Sequence, residues 1–477
     1  MITHFPNRKN KRKNMSTKKD KKQGFVGILI IYCMGLLIGG LFVGMVAPVR
    51  TVIQESFCLD DSTGIWMINI YTLFYAAFIP VIGKIADKFG RNKVFSVCIL
   101  VFMAGSMICG LSARIMGFPV LLVGRVIQAI GAGGMIPVAN AEIGTSFPKE
   151  KRGLALGIAA AVSGISNVVG SGVGSALVEV FGANHWYVMF YLAAPICFIL
   201  FLLSKFVLKK QNTVESGKLD YLGSFLFIIT ILSLLLGLKE LDFFNLSETI
   251  VKMEVWLPLV LFVVFIVIFF FVENKVENPV FHIEFLHSRP IVITMIASFF
   301  IGCIIIAMML VPEYAEYIMN APTGSGGYYM LAIGITSMIG PPLGGKLVDR
   351  FGAKPVLLSG LTLMIGAYLF LGFYVSVNPS VASLIIGLAV VGLGLGFAMG
   401  SPTNYMILEN TNERDSTSAI ATVALVRQVG TTIAPAIFVG FISADNGVSG
   451  YQHMLICIAV FCVLAGVVTL FYKSPKN

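Results

Sequence analysis

Charge is scarce in this sequence. Asp, Glu, Lys and Arg make up 12% of its 477 residues, about half the roughly 25% of an average soluble protein. That scarcity excludes an ordinary water-soluble surface. Cysteine is present eight times, but without a CxxC spacing, and seven of the eight sit inside apolar runs. Neither a disulfide framework nor a metal or redox centre is indicated. No GxxxxGK[ST] occurs, so there is no phosphate-cradling ATPase module. "GAGG" at 131–134 has no strand before it and is not a dinucleotide loop. No cofactor is expected, and no enzyme. The basic tail "NRKNKRKNMSTKKDKK" lacks an apolar h-region and a small-residue cleavage site, so it does not read as a signal peptide.

What the chain does have is apolar length. Hydrophobic residues make up 57%, and mean hydropathy is +0.88. Roughly 30 Å of hydrocarbon takes about 20 helical residues, and fourteen runs approach or exceed that length. The fold expected is an all-α polytopic membrane protein. The net charge of +10 is not spread as a nucleic-acid surface would be. With the N-terminus placed inside, 28 of the 34 Lys and Arg fall on inner segments and four on outer loops. By the positive-inside rule both termini are cytoplasmic, and a cell membrane, bacterial in type, is the expected location.

The phrase "GKIADKFG" occupies 83–90, and a near-copy, "GKLVDRFG", occupies 345–352. Both close an even-numbered apolar run, the second and the tenth. A repeated element at matching places in two halves marks a transporter built from internal repeats. The layout predicted is 6 + 2 + 6. It comprises a basic tail (1–24), a six-helix bundle (25–207), an extra helix pair with linkers (208–289) and a second six-helix bundle (290–477). The phrase also has a mechanical reading as a gate. Gly83 and Gly345 let backbones approach closely, and Gly90 and Gly352 permit a tight turn. Asp87 and Asp349 can meet a neighbouring helix N-terminus or a nearby basic side chain such as Arg91. The plainer alternative is a basic loop that only sets topology.

At these residues the chain resembles the major facilitator superfamily, in its fourteen-helix drug:proton antiporter branch. "GKIADKFGRNK" resembles the family's loop between the second and third helices. "GRVIQAIGAGGMIP" (124–137) resembles its fourth-helix motif, whose Arg and Gln fall on Arg125 and Gln128. Trp66 with Tyr71 matches the start of the second helix, "KLDYLG" (218–223) the start of the extra pair, and "LVRQVG" (425–430) the thirteenth helix with Arg427. The resemblance implies a secondary transporter with two bundles around a central cavity. Three departures fall where that branch handles cations and antiport. Gly39 stands where an acid is usual, Ser171 where Pro is usual, and Trp186-Tyr187-Val188 replaces Trp-Arg-Trp. More weakly, the whole chain is similar to a bacterial proton-coupled bile-acid transporter.

A charge deep in a span costs about 2.5–3.5 kcal/mol on insertion scales and marks a candidate site. Arg125 and Arg427 qualify. No Asp or Glu lies near the centre of a run; Glu142, Glu313, Glu316 and Glu409 lie near ends. Guanidinium groups favour a carboxylate or sulfonate, so the sequence tilts toward an organic anion. The alternative is that both Arg are structural. Proton coupling needs a titratable group, for which Glu313, Glu316 and Arg125 are the candidates. Glu313 and Glu316 read equally as a wetted outer rim. Asn69, Tyr71, Gln128, Asn404, Tyr405 and Gln428 are possible polar anchors for substrate, or interhelical hydrogen bonds. The function expected is proton-coupled uptake of a small amphipathic organic anion such as a bile acid, by a monomer in a lipid bilayer; multidrug efflux by proton antiport is the alternative.

Overall fold

The structure is a computed structural model that describes residues 8–474, apart from 116, 209–219, 274, 277–278, 280, 282–283, 322–325 and 445–446. Lys218 of the "KLDYLG" stretch therefore lies outside the described residues. In hydrocarbon every backbone N–H and C=O needs an internal partner, which a helix supplies along its own length. The apolar runs are accordingly helices, and the described residues contain no strand.

Fourteen helices are long and apolar enough to cross a membrane: α1 Phe25–Ser56, α2 Trp66–Phe89, α3 Arg91–Leu111, α4 Phe118–Ser146, α5 Lys149–Phe181, α6 Ala183–Val207, α7 Tyr221–Lys239, α8 Met253–Glu273, α9 Arg289–Ala307, α10 Tyr328–Phe351, α11 Ala353–Val375, α12 Val381–Glu409, α13 Glu413–Ser443 and α14 Val448–Leu470. Helix α12 breaks at Gly400 and Ser401 and resumes at Pro402. A short helix, Val311–Met319, follows α9.

The buried side chains form two large clusters. One draws mostly on α1 to α6, around Tyr32, Phe42, Phe95, Phe102 and Phe190. The other draws on α9 to α14, around Tyr314, Tyr368, Phe438 and Tyr451. Glycine makes the tight spots. A Cβ at Gly105 would strike the backbone of Gln128, and one at Gly131 would strike that of Phe102, so α3 and α4 touch through their main chains, as small residues allow in membranes.

Helices α7 and α8 pack on one another, and α7 lies against α2 and α13. Its Leu226, Phe227, Ile231 and Leu235 join Leu73, Ala76, Ala77 and Val81 of α2 and Leu425 of α13 in a third cluster. Asp220 caps α7 by accepting from Gly223 N at 2.8 Å. Beyond the other end of α7, Phe244 packs edge-on to Phe441, 4.9 Å between ring centroids. Helix α8 turns most of its apolar side chains outward, as a lipid-facing helix does.

Candidate functional site

The two copies of the repeated phrase do the same structural work. In the first, Gly90 takes φ 93° between α2 and α3; in the second, Gly352 takes φ 85° between α10 and α11. This is left-handed backbone that a side chain disfavours. One turn before each glycine stands the aspartate, and each reaches across to a helix from the other half of the chain.

Asp87 accepts from Thr417 N at 3.2 Å, and from Ser418 N and Ser418 Oγ at 2.8 Å each, at the start of α13. Asp349 accepts from Gly153 N at 2.6 Å and Leu154 N at 2.9 Å, at the start of α5. Thr417 and Ser418 stand in the first turn of the regular helix that begins at Ser416, where a carboxylate satisfies amides without an intrahelical partner; Gly153 and Leu154 lie one turn into α5, which begins at Lys149, and there Asp349 faces the positive end of the helix dipole. The receiving residues were not singled out in the sequence. "PKEKRG" and "NERDSTS", each a turn-and-cap pattern before an apolar run, are the signal that could have found them.

The backbones close up beside these bonds. A Cβ at Gly83 would lie 2.8 Å from Ala421 Cβ. Cβ atoms at Gly345 and Gly153 would each strike the other residue's carbonyl oxygen, and one at Gly157 would strike Pro341 O. Two seams thus join the halves at the end of the molecule that carries the Lys/Arg-rich loops. One is α2 with α13, the other α5 with α10. At this basic end a cavity of about 170 Å³ remains, lined in part by Arg152 and Glu413.

The seams are not equal. Arg91 reinforces the first. Its Nε donates to Thr417 Oγ1 at 2.8 Å and its Nη1 to Thr145 Oγ1 at 2.8 Å. Its Nη2 donates to Glu413 O at 2.5 Å and to Ser416 Oγ. It also pairs with Asp87 at 3.5 Å and Glu142 at 3.6 Å. The matching residue of the second copy is Ala353, and Lys354 beside it turns to Leu470 O and Tyr472 O at the end of α14. Amide hydrogen exchange reads this difference. We expect Gly153 and Leu154 to exchange faster than Thr417 and Ser418; equal rates would sink the distinction.

The two span arginines differ as sharply. Arg125 is 2% exposed. Its Nε donates to Met67 O at 3.0 Å, its Nη1 to Gln128 Oε1 at 2.6 Å, and the guanidinium lies 4.0 Å from the Tyr71 ring centroid. Gln128 Nε2 in turn donates to Ser106 Oγ at 2.7 Å. All these partners lie in α2, α3 and α4. Replacing Arg125 by Ala leaves Gln128 Oε1 without its buried donor, about 1–3 kcal/mol, and removes the additional bond to Met67 O. We expect a lowered melting temperature in detergent; an unchanged one would return Arg125 to the cavity.

Arg427 is half-buried. Among the described residues its guanidinium has no hydrogen bond and no ion pair. Tyr75 of α2, also half-buried, lies near enough to interact with it electrostatically. Tyr75 stacks on Tyr71 at 6.2 Å and 10°, so aromatic rings bridge the two arginines. Gln428 is half-buried beside Arg427, while Asn69 is buried with Nδ2 unpaired. Asn404 is buried in the last turns of α12, and the Tyr405 ring lies 5.9 Å below Arg152. That places Asn404 and Tyr405 near the basic end, apart from Arg427. Glu313 accepts from Tyr451 Oη at 2.9 Å, and Glu316 accepts from Gly326 N at 2.8 Å. Both carboxylates lie at the other end of the molecule. Among the described residues no group of three or more His, Cys, Asp or Glu is placed to hold a metal.

A polytopic helical protein whose halves meet along seams closed at one end, with a charge further along that has no ion pair among the described residues, is built as a membrane transporter. The chain belongs to the Major Facilitator Superfamily, whose family model matches residues 32–435 and 291–477. It is 32% identical over 419 residues to the uncharacterised MFS-type transporter YfiU of Bacillus subtilis, covering 87% of this chain and 79% of that one. It is 25% identical over 437 residues to the multidrug transporter protein MdtP of the same organism, covering 90% and 77%. The fold matches that of the proton:xylose symporter XylE with a TM-score of 0.68 at 13% identity, over 96% of this chain and 97% of that one. These relatives are transporters, not enzymes, and the bacterial ones accord with a plasma-membrane location.

Proposed function

We propose that this protein is a proton-coupled secondary transporter that takes up an amphipathic organic anion, with a bile acid as the model substrate. Arg427 carries the reading: a guanidinium at mid-helix, half-buried and, among the described residues, with no hydrogen bond or ion pair. A charge kept in that state invites a ligand of opposite sign, and a carboxylate or sulfonate fits a guanidinium bidentately. Tyr75 faces it and Gln428 stands next to it; Tyr71 and Asn69, further along α2, are assigned to the same substrate site, with Arg125 and Gln128 behind Tyr71. Residues 25–207 and 290–477 act as two bundles, with 208–289 inserted between them. Both termini face the cytoplasm, as the Lys/Arg distribution requires, so the closed end is the cytoplasmic one. Gly83, Asp87, Gly90 and Arg91, with Gly345, Asp349 and Gly352, form the gate there. The protein works as a monomer.

The test is uptake of labelled taurocholate into proteoliposomes under an imposed proton gradient. Concentrative uptake that collapses with a protonophore supports the reading. Proton release on adding cationic dyes, with no taurocholate uptake, overturns it. The proton is assigned to Glu313 or Glu316. Glu313→Gln preserves the bond from Tyr451 but cannot ionise, so the pH dependence of uptake should flatten if Glu313 carries the proton. An unchanged pH profile in this variant and in Glu316→Gln removes both.

Multidrug efflux by proton antiport is the second reading, favoured by the likeness to MdtP. Gly39 offers a direct check. A Cβ there meets only Met135 Cε, at 3.7 Å, so an acid fits without displacing the helices. If the scaffold is a drug exporter lacking its acid, Gly39→Asp confers resistance to cationic dyes on cells; no resistance counts against this reading.

A further inference from the structure

The glycines along the α5/α10 seam fall into two groups. Gly153 and Gly157 of α5 have no room for a Cβ, because Gly345 O and Pro341 O stand against them. Gly164 follows Gly157 by seven residues, two helical turns, and so lies on the same face of α5. On α10, Gly334 precedes Pro341 by the same seven residues. Yet a Cβ at Gly164 or at Gly334 would meet nothing within 4 Å. The faces that touch at Gly157 and Pro341 have parted two turns further on. Met338, one turn from Gly334 on that face, is 53% exposed.

This gap lies at the depth of Arg427. Gly164 is fifteen residues from the basic end of α5 and Gly334 seventeen from that of α10; Tyr75 and Arg427 are each fourteen from the basic ends of α2 and α13. At a rise of 1.5 Å per residue these positions lie about 21–26 Å from the closed end. At one level, then, the α2/α13 seam presents a guanidinium and a tyrosine, while the α5/α10 seam presents open space walled by two glycines and a methionine. Methionine adapts its shape to an apolar surface.

We propose that Gly164 and Gly334 are specificity-determining residues that admit the apolar body of the substrate, while Arg427 and Tyr75 hold its acidic end. This rests on the transporter reading above and narrows the substrate class. The cavity takes an amphipathic anion with a broad, rigid apolar body, and side chains at 164 and 334 set how broad that body can be. Small linear acids leave the glycine wall empty.

Thiol accessibility in the full chain tests this. Gly164→Cys and Gly334→Cys are each made on a Cys58→Ser background, which removes the exposed native thiol. The open space at both sites lets either variant fold. We expect a charged maleimide to label both, with the Cys58→Ser parent as baseline. Taurocholate should slow labelling at least fivefold, and Arg427→Ala should abolish that protection. Gly164→Leu should raise the KM for taurocholate at least tenfold while leaving the melting temperature unchanged. Absence of labelling at both sites overturns the proposal, as does labelling that neither taurocholate nor ethidium slows. Protection by ethidium alone keeps the glycine wall but removes the anion reading, and the uptake assay decides the function separately.

Discussion

Arg427→Ala lowers taurocholate uptake roughly 10- to 100-fold and leaves the melting temperature where it was. A hydrogen bond to a charged group contributes about 1.5–3 kcal/mol, and each 1.4 kcal/mol is tenfold in affinity. That energy is lost from the substrate complex alone, because among the described residues no protein group hydrogen-bonds or ion-pairs with the guanidinium. Arg427→Lys recovers part of the loss: a point charge remains, without the bidentate fork. The contrast with Arg125→Ala is the control within the molecule, since that change removes bonds to Met67 O and Gln128. If both variants lose stability together, Arg427 is a structural residue and the anion reading fails.

Gly345→Val disables the closed end. Its Cβ would strike Gly153 O and lie 2.7 Å from Gly153 C and 3.0 Å from Leu154 Cα. Those are backbone atoms, which cannot rotate away. Overpacking of this kind costs about 1–3 kcal/mol, so the closed-to-open equilibrium constant falls roughly 5- to 150-fold. Transport that cycles through this state slows accordingly. Gly366→Val is the comparison, since a Cβ at Gly366 meets nothing within 4 Å. Accessibility of Leu154→Cys, whose Cα stands 3.0 Å from a Cβ at Gly345 on this seam, to an aqueous thiol reagent reads closure directly. A Gly345→Val protein that transports normally would show that this seam opens without consequence.

Much of this was legible in the sequence, and the reasons are physical. Span number follows from apolar length, because a bilayer enforces it. The repeat exposed both aspartates and both turn glycines, and helix-terminus capping gave the aspartates a partner type. The partners themselves, Thr417, Ser418, Gly153 and Leu154, were not singled out, because a pairing across about 200 to 330 residues is set by tertiary packing. The difference between Arg125 and Arg427 was equally hidden. Both are arginines at mid-span, and only the neighbours Met67 and Gln128 show which of them is already satisfied. Asn404 and Tyr405 lie in the last turns of α12, where Tyr405 meets Arg152 at the basic end, a neighbour that tertiary packing and not the apolar run decides.

The unequal seams bear on how the two halves can move. Along α2/α13 the closed state holds three bonds to Asp87 and a guanidinium that ties α13 back to the first half at several points. Along α5/α10 it holds two amide bonds to one carboxylate. In hydrogen bonds and ion pairs, the second seam holds less than the first. Under the gate proposed above, the closed end is a clasp with a pin on one side and a catch on the other: Asp349 is the catch, and Arg91 the pin about which the halves would swing.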